Sequence, residues 1–132
     1  MSANQLKDFL KIAFEHTIED VHATEADIAK YFSKDYVQYT DGVKLTYDDF
    51  IAHMKAQKEA MTSIKVTFKH MVAENNQVAT VHIIDGVKKD GGTIQGQVNA
   101  LFMIKDNKLI YCNELTHLIK GSKKDKDLGS RK

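Results

Sequence analysis

A chain of 132 residues with 42% hydrophobic and 28% charged side chains has the make-up of one globular domain with a single core. Its 19 basic side chains nearly balance its 18 acidic ones, which removes the positive field expected of a nucleic-acid binder or an anionic-membrane binder. No apolar run approaches the roughly 20 residues that span a bilayer, the start MSANQLKDFLKIAFEH is too charged for a secretory signal, and the lone Cys112 forms no internal disulfide, so a cytoplasmic protein is expected.

Leu6, Phe9, Leu10, Ala13, Phe14, Thr17 and Val21 recur at three- and four-residue steps, predicting an amphipathic helix from about Gln5 to about His22. Thr24 with Asp27 forms a capping pattern that opens a second, short helix carrying Ile28, Ala29, Tyr31 and Phe32 and stopping near Ser33. "DYVQYTDG" reads as a short extended piece ending in an Asp-Gly turn. Thr46 with Asp49 repeats the capping signal and starts a third helix, whose buried stripe is Phe50, Ile51, Met54 and Met61.

From Ile64 onward the period changes to two, giving four long strands: "SIKVTFKHMVAE", "QVATVHIIDGV", "TIQGQVNALFMI" and "KLIYCNELTHLI". The short connectors "NN", "KKDGG" and "DN" are hairpin material. In the third of these strands Ile94, Gly96, Val98, Ala100, Phe102 and Ile104 share an apolar face, while Gln95, Gln97 and Asn99 share the other. Helices followed by antiparallel strands predict an α+β domain, with three N-terminal helices packed on a curved, mostly antiparallel sheet. It is expected to occupy residues 1–120, with 121–132 as a charged, flexible tail.

That order of elements resembles the nuclear-transport-factor-2-like superfamily, the cone-shaped, cystatin-like fold that includes SnoaL-like polyketide cyclases and ketosteroid isomerase. The resemblance covers about Gln5 to Ile119. Its local markers are "IAKYFSKDYVQYTDG", similar to the family's passage from second helix to short strand and turn, and "MIKDNKLIYCNEL", similar to its final turn and strand. Asn107 stands where the family often has glycine, which asparagine tolerates because it also enters the left-handed region. The fold hosts isomerases, cyclases, hydrolases and non-catalytic modules, so activity has to be argued from the site.

The resemblance implies a pocket between the sheet and the helices, with an acid on the last strand pointing into it, and Glu114 matches that position. Asp41 is placed like the isomerases' proton-abstracting carboxylate, and Asn99 lies near their second, protonated acid, although an amide cannot titrate. The family's helix-one tyrosine has no counterpart, since His16 and Thr17 occupy that neighbourhood. The implied protein binds a small apolar or amphipathic organic molecule without a cofactor, as an isomerase, cyclase or hydratase using acid-base chemistry centred on Glu114. The alternative is a non-catalytic ligand-binding or dimerisation module of the same fold.

The residues themselves leave each candidate with two readings. Glu114 shares strand parity with Ile110, Cys112, Thr116 and Leu118, so burial would raise its pKa toward neutrality, as a general acid or base requires, or else it is one member of a structural hydrogen-bond network. Asp41 in "TDG" is a base or plain turn chemistry. His82, alternating with Val78, Thr80 and Ile84, is a proton carrier or a satisfied core histidine. Phe14, Tyr36, Tyr39, Met54, Asn99 and Cys112 complete the expected ligand-binding set, with Cys112 a small apolar side chain. No metal site is expected, because His16 and Asp20 at i and i+4 fall short of the three or four ligands zinc needs, and no Gly-rich phosphate loop occurs. A homodimer is expected through the outer sheet face, where Leu101 and Met103 lie among amides.

Overall fold

A computed structural model of the protein describes residues 1–121, so the expected tail beyond Gly121 lies outside the described residues. The chain runs through helix α1 (Ala3–Phe14), a π-helical turn (Glu15–Glu19), helix α2 (Glu25–Ala29), strands β1 (Phe32–Thr40) and β2 (Val43–Thr46), helix α3 (Tyr47–Ala60), and strands β3 (Met61–Glu74), β4 (Gln77–Lys88), β5 (Thr93–Lys105) and β6 (Lys108–Lys120). The six strands form one sheet in the order β2-β1-β6-β5-β4-β3. All neighbours are antiparallel except β1 and β6, which run parallel. The α+β class is as expected, and the four long strands differ from the predicted ones by at most two residues at either end.

Two helices start where capping chemistry puts them. The Thr24 and Thr46 hydroxyls accept from the backbone N–H groups of Asp27 and Asp49, whose carboxylates accept in return from the cap residues. Ser2 and Gln5 form the same reciprocal pair at the start of α1, satisfying donors that a helix N-terminus leaves free. The first helix departs from expectation by widening into the π-helical turn after Phe14. There the buried Thr17 hydroxyl donates to the Ala13 carbonyl (2.6 Å), while Lys58 Nζ donates to the carbonyls of Thr17 and Asp20. The second helix ends four residues earlier than expected, at Ala29, because Phe32 already pairs with Leu109 and the Tyr31 carbonyl accepts from Leu109 N–H. Strand pairing thus overrides the local helical pattern. Met61, expected on the α3 stripe, is instead the first residue of β3.

Paired residues with φ of 51° and 60° at Asn75 and Asn76, and 52° and 60° at Asp106 and Asn107, make the tight left-handed turns that match the twist of antiparallel hairpins. Register shifts in β3 near Lys69 and at both ends of the β5–β6 pairing bend the sheet, as bulges do. The concave face carries the core. Val98, Ala100, Phe102 and Ile104 are buried there in one cluster with Leu6, Leu10, Ala13 and Phe14 of α1 and Phe50 and Met54 of α3, while Ile94 is buried in a smaller cluster with Met61 and Ile64 of β3. Alternation then turns Gln95, Gln97 and Asn99 to the opposite face.

Candidate functional site

The rungs of the sheet decide which side chains meet. Thr40, Glu114, Ala100 and Thr80 lie in one rung across β1, β6, β5 and β4, and Thr116, Val98 and His82 form part of a neighbouring one. Between these rungs and the helices lies a cavity of about 60 Å³. Phe14, Ile18, Phe32, Phe50, Val98 and Phe102 make its walls mainly apolar, and Tyr36, Gln38, His53, Gln57, His82, Glu114 and Thr116 add polar groups.

Glu114 is held from β1. Its Oε1 accepts from Gln38 Nε2 (2.8 Å) and from the Thr40 hydroxyl (3.1 Å). Gln38 Nε2 also donates to Thr40 Oγ1 (2.8 Å), and Gln38 Oε1 accepts from the Tyr36 hydroxyl (2.6 Å). Residues 36, 38 and 40 point the same way because successive strand side chains alternate, so three consecutive inward positions of β1 form one donor chain ending on the carboxylate. Burial raises the Glu114 pKa to about 7, the Thr40 hydrogen bond opposes that rise, and the nearby Asp41 charge adds to it. The walls dominate because removing an ion from water costs more than one hydroxyl donor returns.

His82 is almost wholly enclosed. Its Nδ1 shares a 2.8 Å hydrogen bond with the Thr80 hydroxyl, and its ring meets Phe14 edge-on at 5.5 Å. Desolvation lowers its pKa to about 4, so at neutral pH it is an uncharged imidazole. Cys112 and Tyr36 are buried against each other, and burial first, then the Glu114 charge, pushes the thiol well above its ordinary pKa. Cys112 is therefore a protonated, apolar wall residue. The Thr116 hydroxyl is buried beside the cavity with no protein partner.

Of the expected site residues, the structure brings Phe14, Tyr36, Met54, His82, Cys112 and Glu114 together around the cavity. Tyr39 is corrected: it sits three residues from Tyr36 on the same strand, so it emerges on the outer face, where its ring lies 6.1 Å from that of Tyr111. Asn99 is corrected for the same reason, being exposed on the outer face with its Oδ1 accepting from Gln97 Nε2. Asp41 is exposed in the β1–β2 turn with φ of 51°. Its carboxylate accepts from the Thr116 N–H (2.8 Å) and its N–H donates to the Glu114 carbonyl (3.0 Å), which ties β1 to β6 and places the acid outside the cavity. Gln38, Thr40, His53 and Gln57 were missed. Strand parity from Tyr36 and helical spacing from Phe50 were the signals that pointed to them. Among the described residues no group of three or more His, Cys, Asp or Glu side chains is placed to hold a metal ion.

Comparison with known proteins agrees with this architecture. Residues 7–112 match the SnoaL-like domain family. An uncharacterized protein of Schizosaccharomyces pombe is 34% identical over 100 residues, spanning 76% of this chain and 77% of that protein. Among solved structures, AclR of Streptomyces galilaeus superposes with a TM-score of 0.74 at 16% identity, covering 99% of this chain and 89% of AclR. An LEH-like epoxide hydrolase of M. tuberculosis gives a TM-score of 0.69 at 13% identity over 87% of this chain and 84% of that one. An NTF2-like protein of Burkholderia xenovorans gives a TM-score of 0.67 at 12% identity over 89% and 92%. At such identities the solved structures speak for the fold alone, which is the cone-shaped nuclear-transport-factor-2-like one.

Proposed function

Because the chain belongs to the SnoaL-like domain family, we propose that its cavity binds a small organic molecule and that Glu114 transfers a proton to or from it, in an isomerisation, cyclisation or hydration. The observation that carries this reading is a carboxyl group in an apolar cavity whose pKa is raised to about 7, where both protonation states are populated at working pH and proton transfer in either direction is efficient. Gln38 and Thr40 fix the carboxyl from one side through Oε1. The neutral His82 and the unpartnered Thr116 hydroxyl supply further polar contacts for an oxygen of the ligand. The chemistry needs no cofactor. The buried free thiol of Cys112 suits a reducing compartment such as the cytoplasm.

The test is exchange of the α-protons of a small enolisable ketone, such as cyclopentanone, in heavy water, followed by proton NMR. General acid-base groups are worth roughly a hundredfold or more in rate, so the protein accelerates exchange and Glu114→Gln loses about that factor. A Glu114→Gln protein that keeps the full rate overturns the proposal.

A second reading has its own support, because the Tyr36–Gln38–Thr40–Glu114 chain is what a purely structural network also needs. Under it the protein is a ligand-binding or dimerisation module, and Glu114→Gln changes stability or affinity without changing any reaction. In either case the outer sheet face is proposed to meet a second copy, since Val72 and Leu115 are 68% and 65% exposed on it. Sedimentation equilibrium at micromolar concentration is expected to return a dimer, and a monomer alone would contradict that interface.

A further inference from the structure

The cavity beside Glu114 has room for only a few waters at about 60 Å³, less than organic ligands ordinarily occupy. A second hollow of about 760 Å³ opens between the turn after α1, helix α2 and helix α3. Its apolar part is formed by Val21, Ile28, Ile51, Met54 and Met61. Met54, on α3, is the one residue of the described chain that lines both hollows, and it is 2% exposed. The partition between them therefore includes an unbranched thioether with three rotatable bonds, the most adaptable of the apolar side chains.

The groove also carries an uneven charge. Lys55, Lys58 and Lys89 line it with His22, against Glu25 and Glu59, and none of the three lysines makes an ion pair with another described residue. Lys58 spends two of its three donors on the Thr17 and Asp20 carbonyls, leaving one. Its burial lowers its pKa to about 8, a shift that the Asp20 charge only partly opposes and that a further anion would offset.

Resting on the reading of the cavity as a ligand site, we propose that groove and cavity are two halves of one site for an amphipathic organic acid: the apolar end passes Met54 toward Glu114, and the anionic head lies in the groove among Lys55, Lys58 and Lys89. This orientation keeps the ligand's charge away from the Glu114 carboxyl, which like charge would otherwise oppose.

The experiment is calorimetric titration of the full chain at neutral pH with octanoate, butyrate and 1-octanol. Octanoate is expected to bind roughly tenfold or more tightly than butyrate, from the added methylenes. The double variant Lys55→Gln/Lys89→Gln is expected to weaken octanoate about fivefold, as exposed charge pairs allow, while leaving 1-octanol unchanged. Met54→Phe, which stiffens the partition, flattens the chain-length dependence, whereas the flexible and similarly sized Met54→Leu keeps it. Circular dichroism checks that each variant is folded, and the surface lysine pair decides the question if Met54→Phe is not. The proposal is overturned if octanoate does not bind at millimolar concentration, if the lysine variant weakens octanoate and 1-octanol equally or neither, or if Met54→Phe leaves the chain-length dependence intact. Octanoate undergoes no reaction, so a failure of Glu114 as a proton carrier leaves these affinities unchanged. A failure of the groove, in turn, leaves the Glu114 dependence of ketone exchange unchanged.

Discussion

Replacing Glu114 by Gln keeps the side chain's shape, and its amide oxygen can still accept from Gln38 and Thr40, but the titrating proton is gone. In the folded protein burial raises the Glu114 pKa from 4.5 to about 7, so the native state holds that proton more tightly than the unfolded chain does. Below the unfolded pKa both states are protonated and folding carries no penalty. As the pH rises from 4.5 toward about 7, the unfolded chain releases the proton first and the folded state loses stability; above the folded pKa the penalty is complete and constant. At about 1.4 kcal/mol per unit, the penalty reaches about 3 kcal/mol as an upper bound. Urea denaturation of both proteins at about pH 4 and about pH 8, with the slope checked for constancy, should show Glu114→Gln gaining about 3 kcal/mol relative to the unmodified chain between the two. Other titrating groups contribute to both proteins and largely cancel in that difference. A stability difference that stays constant within about 0.5 kcal/mol across the range would refute the claim that this carboxyl is desolvated.

Thr40→Val removes the hydroxyl that donates to Glu114 Oε1, so the Glu114 pKa should move further upward, and the activity profile with it, at a stability cost of about 1 kcal/mol. Asp41→Asn keeps a residue that tolerates positive φ and an oxygen for the Thr116 N–H; it should leave ketone exchange within a factor of about 2 and lower the Glu114 pKa slightly, whereas loss of exchange would restore Asp41 as the base. The folded pKa of His82 is depressed from 6.5 to about 4, so its contribution to stability is present above the unfolded pKa and is lost as the pH falls through that window. Its imidazole carbon-proton NMR signals should accordingly stay at the neutral position at about pH 5.5, and a midpoint near 6.5 would contradict its burial.

The two-residue period of the strands made most of this fold legible. Ile94, Val98, Ala100, Phe102 and Ile104 were placed on one face by alternation alone, and all five are buried. The same rule, carried through β1, separates Tyr36 from Tyr39 and brings Gln38 and Thr40 inward, because side chains an odd number of positions apart leave a strand on opposite faces. Asn99 was misplaced through its likeness in position to another protein's acid, although its own alternation with Val98 and Ala100 put it outside. His53 and Gln57 share the α3 face of Phe50 and Met54, so helical spacing placed them on the buried side, but their polarity spoke against burial and hid that signal. The π-helical turn and the end of α2 at Ala29 depend on tertiary contacts: the Lys58 cap and the pairing of Phe32 with Leu109. A local window of sequence does not contain those partners.

Carbon NMR of the protein labelled at the glutamate side-chain carboxyl, with Glu114→Gln used to assign the resonance, reads the proton affinity of this group directly. A midpoint of about 7 is the expected result. A midpoint in the ordinary range near 4.3 would mean that the carboxyl is hydrated, and it would contradict the acid-base role given to Glu114.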